Sequence, residues 1–187
     1  MKAIASVLLS VALLTGCAAQ IAVPGKRHWP LLAPNLISSR SATQVVHAGF
    51  GTRSITLQCA LDLAGDQLTL IGLTTLGQRA YTVHYNGRQI VAERAAFVPA
   101  GINAERLLAD VQLAFWPIEA LRPEWQRLGY ELTEPFPGLR RLRQNDRIVS
   151  EVHFSSGDAW NGRVWLVNLR YGYSLTIDTT TDTTTTR

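Results

Sequence analysis

The run from Ser54 to Arg94 limits the folds open to this chain more than any other stretch. In its first limb Ile55, Leu57, Cys59, Leu61 and Leu63 fall on one side of an extended backbone, and Ser54, Thr56, Gln58, Ala60 and Asp62 on the other. A period of two marks a strand with one buried and one wetted face. Turn residues follow at Gly65-Asp66, Leu76-Gly77 and Asn86-Gly87, and Asn-Gly is the strongest short-range hairpin signal. The run predicts four antiparallel strands in a meander whose apolar face must be covered by other elements.

The flanking sequence supplies candidates for that cover. An earlier strand is predicted over Thr43 to Ala48, with a bend at Gly49 and Gly51 around Phe50. Beyond the meander, Pro99-Ala100-Gly101 breaks the pattern and Asn103 can cap a helix whose apolar positions Leu107, Leu108, Val111, Ala114 and Phe115 recur at helical spacing. Pro117 ends that helix. A second helical stretch, Ile118 to Leu128, is interrupted or restarted at Pro123 and ends at Gly129. Strands then return over Tyr130–Thr133, Leu139–Arg143, Arg147–Phe154, Arg163–Leu169 and Tyr173–Ile177. The fold class is mainly β with two or three short helices. Asp110, among apolar neighbours on the first helix, is expected to point to water or to an Arg; the alternative is a role in orienting a ligand.

At the amino terminus, Lys2, the apolar run Ala3 to Leu14 and small residues up to Cys17 form a secretory leader too short to span a bilayer. It ends in Leu14-Thr15-Gly16-Cys17, which resembles the lipobox of bacterial lipoproteins. That resemblance implies cleavage before Cys17, acylation of Cys17, and a protein held on a membrane without crossing it. Ala18 follows the cysteine where an aspartate would retain such proteins at the inner membrane of enteric bacteria, so the implied location is the periplasmic face of the outer membrane. The expected division is a signal peptide over 1–16, a lipidated tether over 17–40 with Pro24, Pro30 and Pro34, one domain over 41–178, and a disordered, Thr-rich tail over 179–187. Within the tether, Trp29-Pro30-Leu31-Leu32 has two open readings, docking on the domain or brushing the bilayer. The 187 residues are enough for one domain with a sizeable core, and nothing in the sequence reads as a second domain.

The net charge of +4 is nearly all arginine, Lys2 and Lys26 being the only lysines. Without basic residues interleaved with aromatics this argues against nucleic acid and rather for anionic headgroups. Arg140, Arg141, Arg143 and Arg147 cluster on one hairpin, and two readings stand: a headgroup or phosphate site, or a strand edge kept from pairing by charge. Cys59, unpaired if Cys17 carries lipid, is expected to be a small buried hydrophobe. His28, His47, His84 and His153 have no metal-ligand spacing, and no nucleophile elbow or phosphate loop is present. No enzymatic activity, cofactor or metal is expected. His84, alternating with Val83 and Tyr85, should face water.

The order of leader, lipobox, meander, two-helix interruption and further hairpins is similar to the LolB receptor family, which takes lipoproteins from the periplasmic LolA carriers. Thr75-Leu76-Gly77 falls where that family has Pro-Leu-Gly, and Leu121-Arg122 with Trp125 and Leu128-Gly129 resembles its second helix. The chain resembles more closely an uncharacterised lipoprotein family associated with aryl-polyene biosynthesis clusters, through Gly72-Leu73-Thr74, Leu76-Gly77, Leu108-Ala109-Asp110-Val111-Gln112-Leu113-Ala114, Trp116-Pro117 and Tyr171-Gly172-Tyr173 with Leu175 and Ile177. These resemblances imply a LolA/LolB-like unclosed antiparallel barrel, a half-barrel with a helical lid, around an apolar cavity. Ile55, Leu57, Leu61, Tyr81, Val83, Leu107 and Val111 would line it, Leu76 would touch the membrane, and the cargo would be an acyl chain, a lipoprotein or a polyene lipid. A LolA-like carrier is an implied partner, and a monomer is expected. The alternative is an accessory lipoprotein or scaffold with a solid core that transports nothing.

Overall fold

The computed structural model describes residues 21–22, 29–98 and 102–184. The expected leader and Cys17 lie outside the described residues. Eleven strands form one open antiparallel sheet in the order β1-β6-β5-β4-β3-β2-β11-β10-β9-β8-β7. The strands are β1 (Ile21–Ala22), β2 (Arg40–Phe50), β3 (Arg53–Ala64), β4 (Gln67–Thr74), β5 (Arg79–Tyr85), β6 (Ile90–Arg94), β7 (Tyr130–Phe136), β8 (Leu139–Gln144), β9 (Arg147–Phe154), β10 (Arg163–Asn168) and β11 (Tyr173–Thr184). Two helices, α1 (Ala104–Phe115) and α2 (Ile118–Arg127), connect β6 to β7. The fold is therefore two meanders, β2–β6 and β7–β11, fused by the pairing of β2 with β11.

The turns are those the sequence marks. Gly65, Gly77 and Gly87 take positive φ of 62°, 76° and 82°, conformations that cost other residues a Cβ clash. Asn86 closes its loop by accepting from the amides of Arg88 and Gln89 at 3.0 and 2.7 Å, an Asx turn. At the β8–β9 turn Asn145 and Asp146 both have positive φ, 50° and 61°, the pairing that suits strand twist in a two-residue hairpin. Asn103 caps α1 through its side-chain oxygen, which accepts from Glu105 N at 2.8 Å and Arg106 N at 3.3 Å.

Antiparallel pairing throughout gathers the connections at two rims. The β2–β3, β4–β5, β8–β9 and β10–β11 turns lie on one, the upper rim, where β6 also leaves for α1. The β3–β4, β5–β6, β7–β8 and β9–β10 connections lie on the lower rim. α1 starts at the upper rim and α2 returns to it.

Two expected boundaries move. The tail does not end its structure at 178: β11 runs on to Thr184 against β2, which itself starts at Arg40. Low complexity suggested disorder, but threonine is β-branched and favours strands once a partner strand is present. Arg40 fastens this end, with its Nε 3.1 Å from an Asp182 carboxylate oxygen and its guanidinium 4.7 Å from the Trp160 ring centre. The second correction concerns 29–40, read as tether. Trp29 and Leu32 are buried and belong to the hydrophobic core.

Candidate functional site

The inner face of the half-barrel is covered by α1. Leu108, Leu113 and Ala114 on that helix are at most 2% exposed, as are Leu61 and Leu68 on the first meander and Leu132, Leu142 and Leu166 on the second. These belong to a single apolar cluster. The residues expected to line a cavity all fall on it: Leu61, Tyr81, Val83 and Val111 are buried, while Ile55, Leu57 and Leu107 are half-buried and packed against the same cluster. Cys59 is buried there too, and burial pushes its thiol up to about 12, so it stays an unreactive hydrophobe. His84 faces water beside Thr69.

Over α1 lies a strap, Trp29 to Leu32. The Gln112 carboxamide reads the Leu32 backbone with both ends, accepting from Leu32 N at 2.8 Å and donating to Leu32 O at 2.8 Å. Glu105 accepts from Trp29 N at 2.8 Å, and the Tyr85 hydroxyl donates to Leu31 O at 3.2 Å. The Trp29 ring sits among Trp125, Tyr130 and Tyr171 with centroids 5.6, 6.0 and 6.1 Å away. Glu105 and Gln112 would be costly buried polar groups on an apolar helix, and the strap's backbone satisfies both. Of the two readings of this segment, docking is the one observed.

A third buried polar residue lies on the same helix. Asp110 does not point to water: it is 6% exposed and accepts a short hydrogen bond from the Tyr173 hydroxyl. The Asn168 amide donates to the same hydroxyl at 3.0 Å. Burial pushes the Asp110 carboxyl up to about 7, against the opposing pull of the Tyr173 hydrogen bond and the Arg106 charge. Burial, and then the Asp110 charge, hold the Tyr173 phenol well above its usual range. Arg106 lies over the Tyr171 and Tyr173 rings, 4.4 and 5.3 Å from their centres.

Leu76 stands at the tip of the β4–β5 turn on the upper rim, 86% exposed. The four arginines of the β8–β9 hairpin do not form one patch, because alternation sends them to different faces. Arg140 points inward, its Nη1 donating to the carbonyls of Leu113 at 3.0 Å and Trp116 at 2.6 Å and its Nε 2.8 Å from Glu134. It caps the carboxyl end of α1, where cations are favoured. Arg141 is taken by Glu151 at 2.7 Å, and Arg143 reaches the Asp146 carbonyl at 3.4 Å. Arg147 is exposed.

A shallow pocket of about 250 Å³ opens near the upper rim, lined by Gly49, Gly51, Leu169, Gly172 and Tyr173 among others. The buried indole N–H groups of Trp116 and Trp125 meet no acceptor among the described residues. None of the described helices is long and apolar enough to cross a membrane.

Sequence reasoning missed the strap's partners, Glu105 and Gln112, and the joining of Asp110 to Tyr173. A signal for the second was present: polar Asp110 and Gln112 interrupt an apolar helix face, and Tyr171-Gly172-Tyr173 follows a strand end.

An open antiparallel sheet with its inner face closed by two helices defines a mainly β half-barrel with a helical lid. Residues 41–181 match the family described as "Protein of unknown function (DUF3261)", and the chain belongs to that family. Among curated proteins, none matches the chain. Among solved structures, the chain is similar to a domain described as that of an outer membrane lipoprotein-sorting protein from Vibrio parahaemolyticus, at 12% identity and a TM-score of 0.47, over 80% of this chain and 86% of that one. A LolA superfamily protein from Nitrosomonas europaea is similar at 8% identity and a TM-score of 0.48, over 84% and 90%. A DUF1329 family protein from Desulfovibrio piger is similar at 10% identity and a TM-score of 0.40, over 81% and 87%.

Proposed function

We propose that the chain is a lipoprotein, acylated at Cys17 and held on the periplasmic face of the outer membrane, that takes an acyl-type ligand between the half-barrel and its helical lid. The observation that carries this reading is the nature of the cover. The inner face is closed by helices and a strap that pack into the apolar core and add polar contacts from Gln112, Glu105, Arg140 and Asp110, and because the helices are one connection between β6 and β7 this cover can move apart from the sheet's own hydrogen-bonded ladder. Beneath it an acyl chain would meet Leu61, Val83 and Val111, gaining about 25 cal/mol per Å² of apolar surface removed from water. The two buried indole donors would offer hydrogen bonds to an ester carbonyl. The cargo is a lipoprotein anchor, a lipid or an aryl-polyene lipid, with a LolA-like carrier as the supplying partner, and no catalytic step is involved.

One observation favours a second reading. Leu108, Ala114, Trp116 and Leu121 are fully buried in a continuous core, as a non-transporting accessory protein of a cell-envelope assembly system would have. An apolar fluorescent probe separates the two. Saturable one-to-one binding to the folded chain supports the carrier, and no binding leaves the accessory protein.

A further inference from the structure

The upper rim is unlike the lower in both shape and charge. Leu76 at 86%, Phe97 at 53%, Leu169 at 54% and Tyr171 at 46% are exposed, and the strand register puts all four on connections at this one end. They sit on the β4–β5 turn, the β6–α1 loop and the β10–β11 turn. Neighbouring turns on a rim are two strands apart, about 10 Å, so the apolar points form a spaced row along the rim.

Arginines fill the intervals. Arg53, Arg79 and Arg147 are each the first residue of the strand that leaves an upper turn, all exposed. None of the three makes an ion pair or side-chain hydrogen bond with a described residue. Arg170 on the β10–β11 turn is exposed too, but it already donates to the Tyr130 hydroxyl at 2.8 Å and to Gln144. Asp146 is the exposed acid in these turns, whereas on the lower rim Arg140 and Arg163 are paired with Glu134 and Asp178, and Asp66, Asp158 and Arg88 are exposed. Scattered single apolar residues need no explanation, but apolar tips alternating with uncompensated cations on one rim match the headgroup boundary of an anionic bilayer.

The direction of β1 supplies an independent argument. Ile21 pairs with Ala92 and Ala22 with Val91, antiparallel to β6, whose carboxyl end is at the upper rim. The chain therefore enters β1 from the upper-rim side. Cys17 is four residues before Ile21, within about 14 Å of it even if fully extended. An anchor at Cys17 therefore has this rim within reach.

We infer that the upper rim is a docking face for an anionic lipid surface, with Leu76, Phe97, Leu169 and Tyr171 entering the headgroup boundary and Arg53, Arg79 and Arg147 meeting lipid phosphates. This deepens the reading of the chain as a membrane-held protein, and is tested apart from cargo uptake.

The experiment uses the chain after leader removal with Cys17→Ser, so that no acyl anchor masks weaker contacts, and measures co-sedimentation with vesicles of phosphatidylglycerol and of phosphatidylcholine. Binding to phosphatidylglycerol is expected, weakening with salt and much reduced on phosphatidylcholine. The triple change Arg53→Ala, Arg79→Ala and Arg147→Ala should lower it by about fivefold per arginine. Leu76→Ser with Phe97→Ser should lower it further at high salt, while Leu36→Ser with Phe136→Ser, exposed residues outside this rim, should leave it unchanged. All replaced side chains are exposed, and circular dichroism checks that each variant is folded. Absence of vesicle binding, binding that the upper-rim variants share with the parent, or equal loss in the Leu36 and Phe136 variant would each overturn the inference. Uptake of cargo by a chain that ignores vesicles would overturn it while leaving the proposed function in place.

Discussion

The Gln112 carboxamide pairs with the backbone of Leu32 as a neighbouring strand would, accepting from its N–H and donating to its C=O at 2.8 Å each. Gln112 is fully buried, so neither partner can turn to water when the other is lost. Gln112→Ala is expected to destabilise the chain by about 2–6 kcal/mol, since two buried backbone groups lose their partner at about 1–3 kcal/mol each. Urea unfolding measures the loss. Limited proteolysis should show earlier cleavage near residues 29–40 than in the parent.

Asp110 gives a pH dependence of definite sign. Its folded value, about 7, lies above the ordinary 3.8, so the folded chain keeps a proton that the unfolded chain releases. The stability contributed by protonated Asp110 is full below the ordinary value and is lost as pH rises to the folded one. The parent should therefore lose a few kcal/mol relative to Asp110→Asn as pH rises from about 4 to about 7, and the difference should level off above that. Parallel urea titrations of the two proteins test it; a difference independent of pH would show that Asp110 is ionised in the fold.

Arg140 and Arg147 should behave differently despite sharing a hairpin. Arg140→Ala leaves α1 carbonyls and Glu134 without their cation, and a loss of about 1–3 kcal/mol is expected. Arg147→Ala, at an exposed position, should stay within about 0.5 kcal/mol of the parent. Thermal unfolding of both variants makes the comparison.

Ending the chain at Asp178 removes the part of β11 that pairs with Gln44 to Arg40, together with the Asp182 partner of Arg40. A fall in Tm of at least about 5 °C is expected. An unchanged Tm would mean that the Thr-rich segment adds nothing to the sheet.

The meander was legible because alternation over β3 and the glycine turns are local signals. The helices were legible for the same reason, through Asn103, Pro117 and Gly129. What escaped depends on pairing across long separations. The strap needs Gln112, eighty residues from Leu32, and nothing near Trp29 declares it. Residues 179–184, all Thr but Asp182, become a strand only because β2 lies beside them. Asp110 could be singled out as polar among apolar neighbours, but its direction was set by Tyr173, sixty-three residues on. The arginine cluster illustrates the converse. Residues adjacent in sequence on a strand face opposite ways, so Arg140 and Arg141 serve different partners.

Native mass spectrometry bears most directly on the central claim that the lidded half-barrel receives an acyl-type ligand. The chain would start at Ala18 behind a cleavable secretory leader and be purified without detergent. A reproducible added mass that resolves into one acylated molecule is the expected result, and it would identify the cargo class. A clean unliganded mass, unchanged when lipid or polyene extract is added, would contradict the claim and leave a membrane-held accessory protein with a solid core.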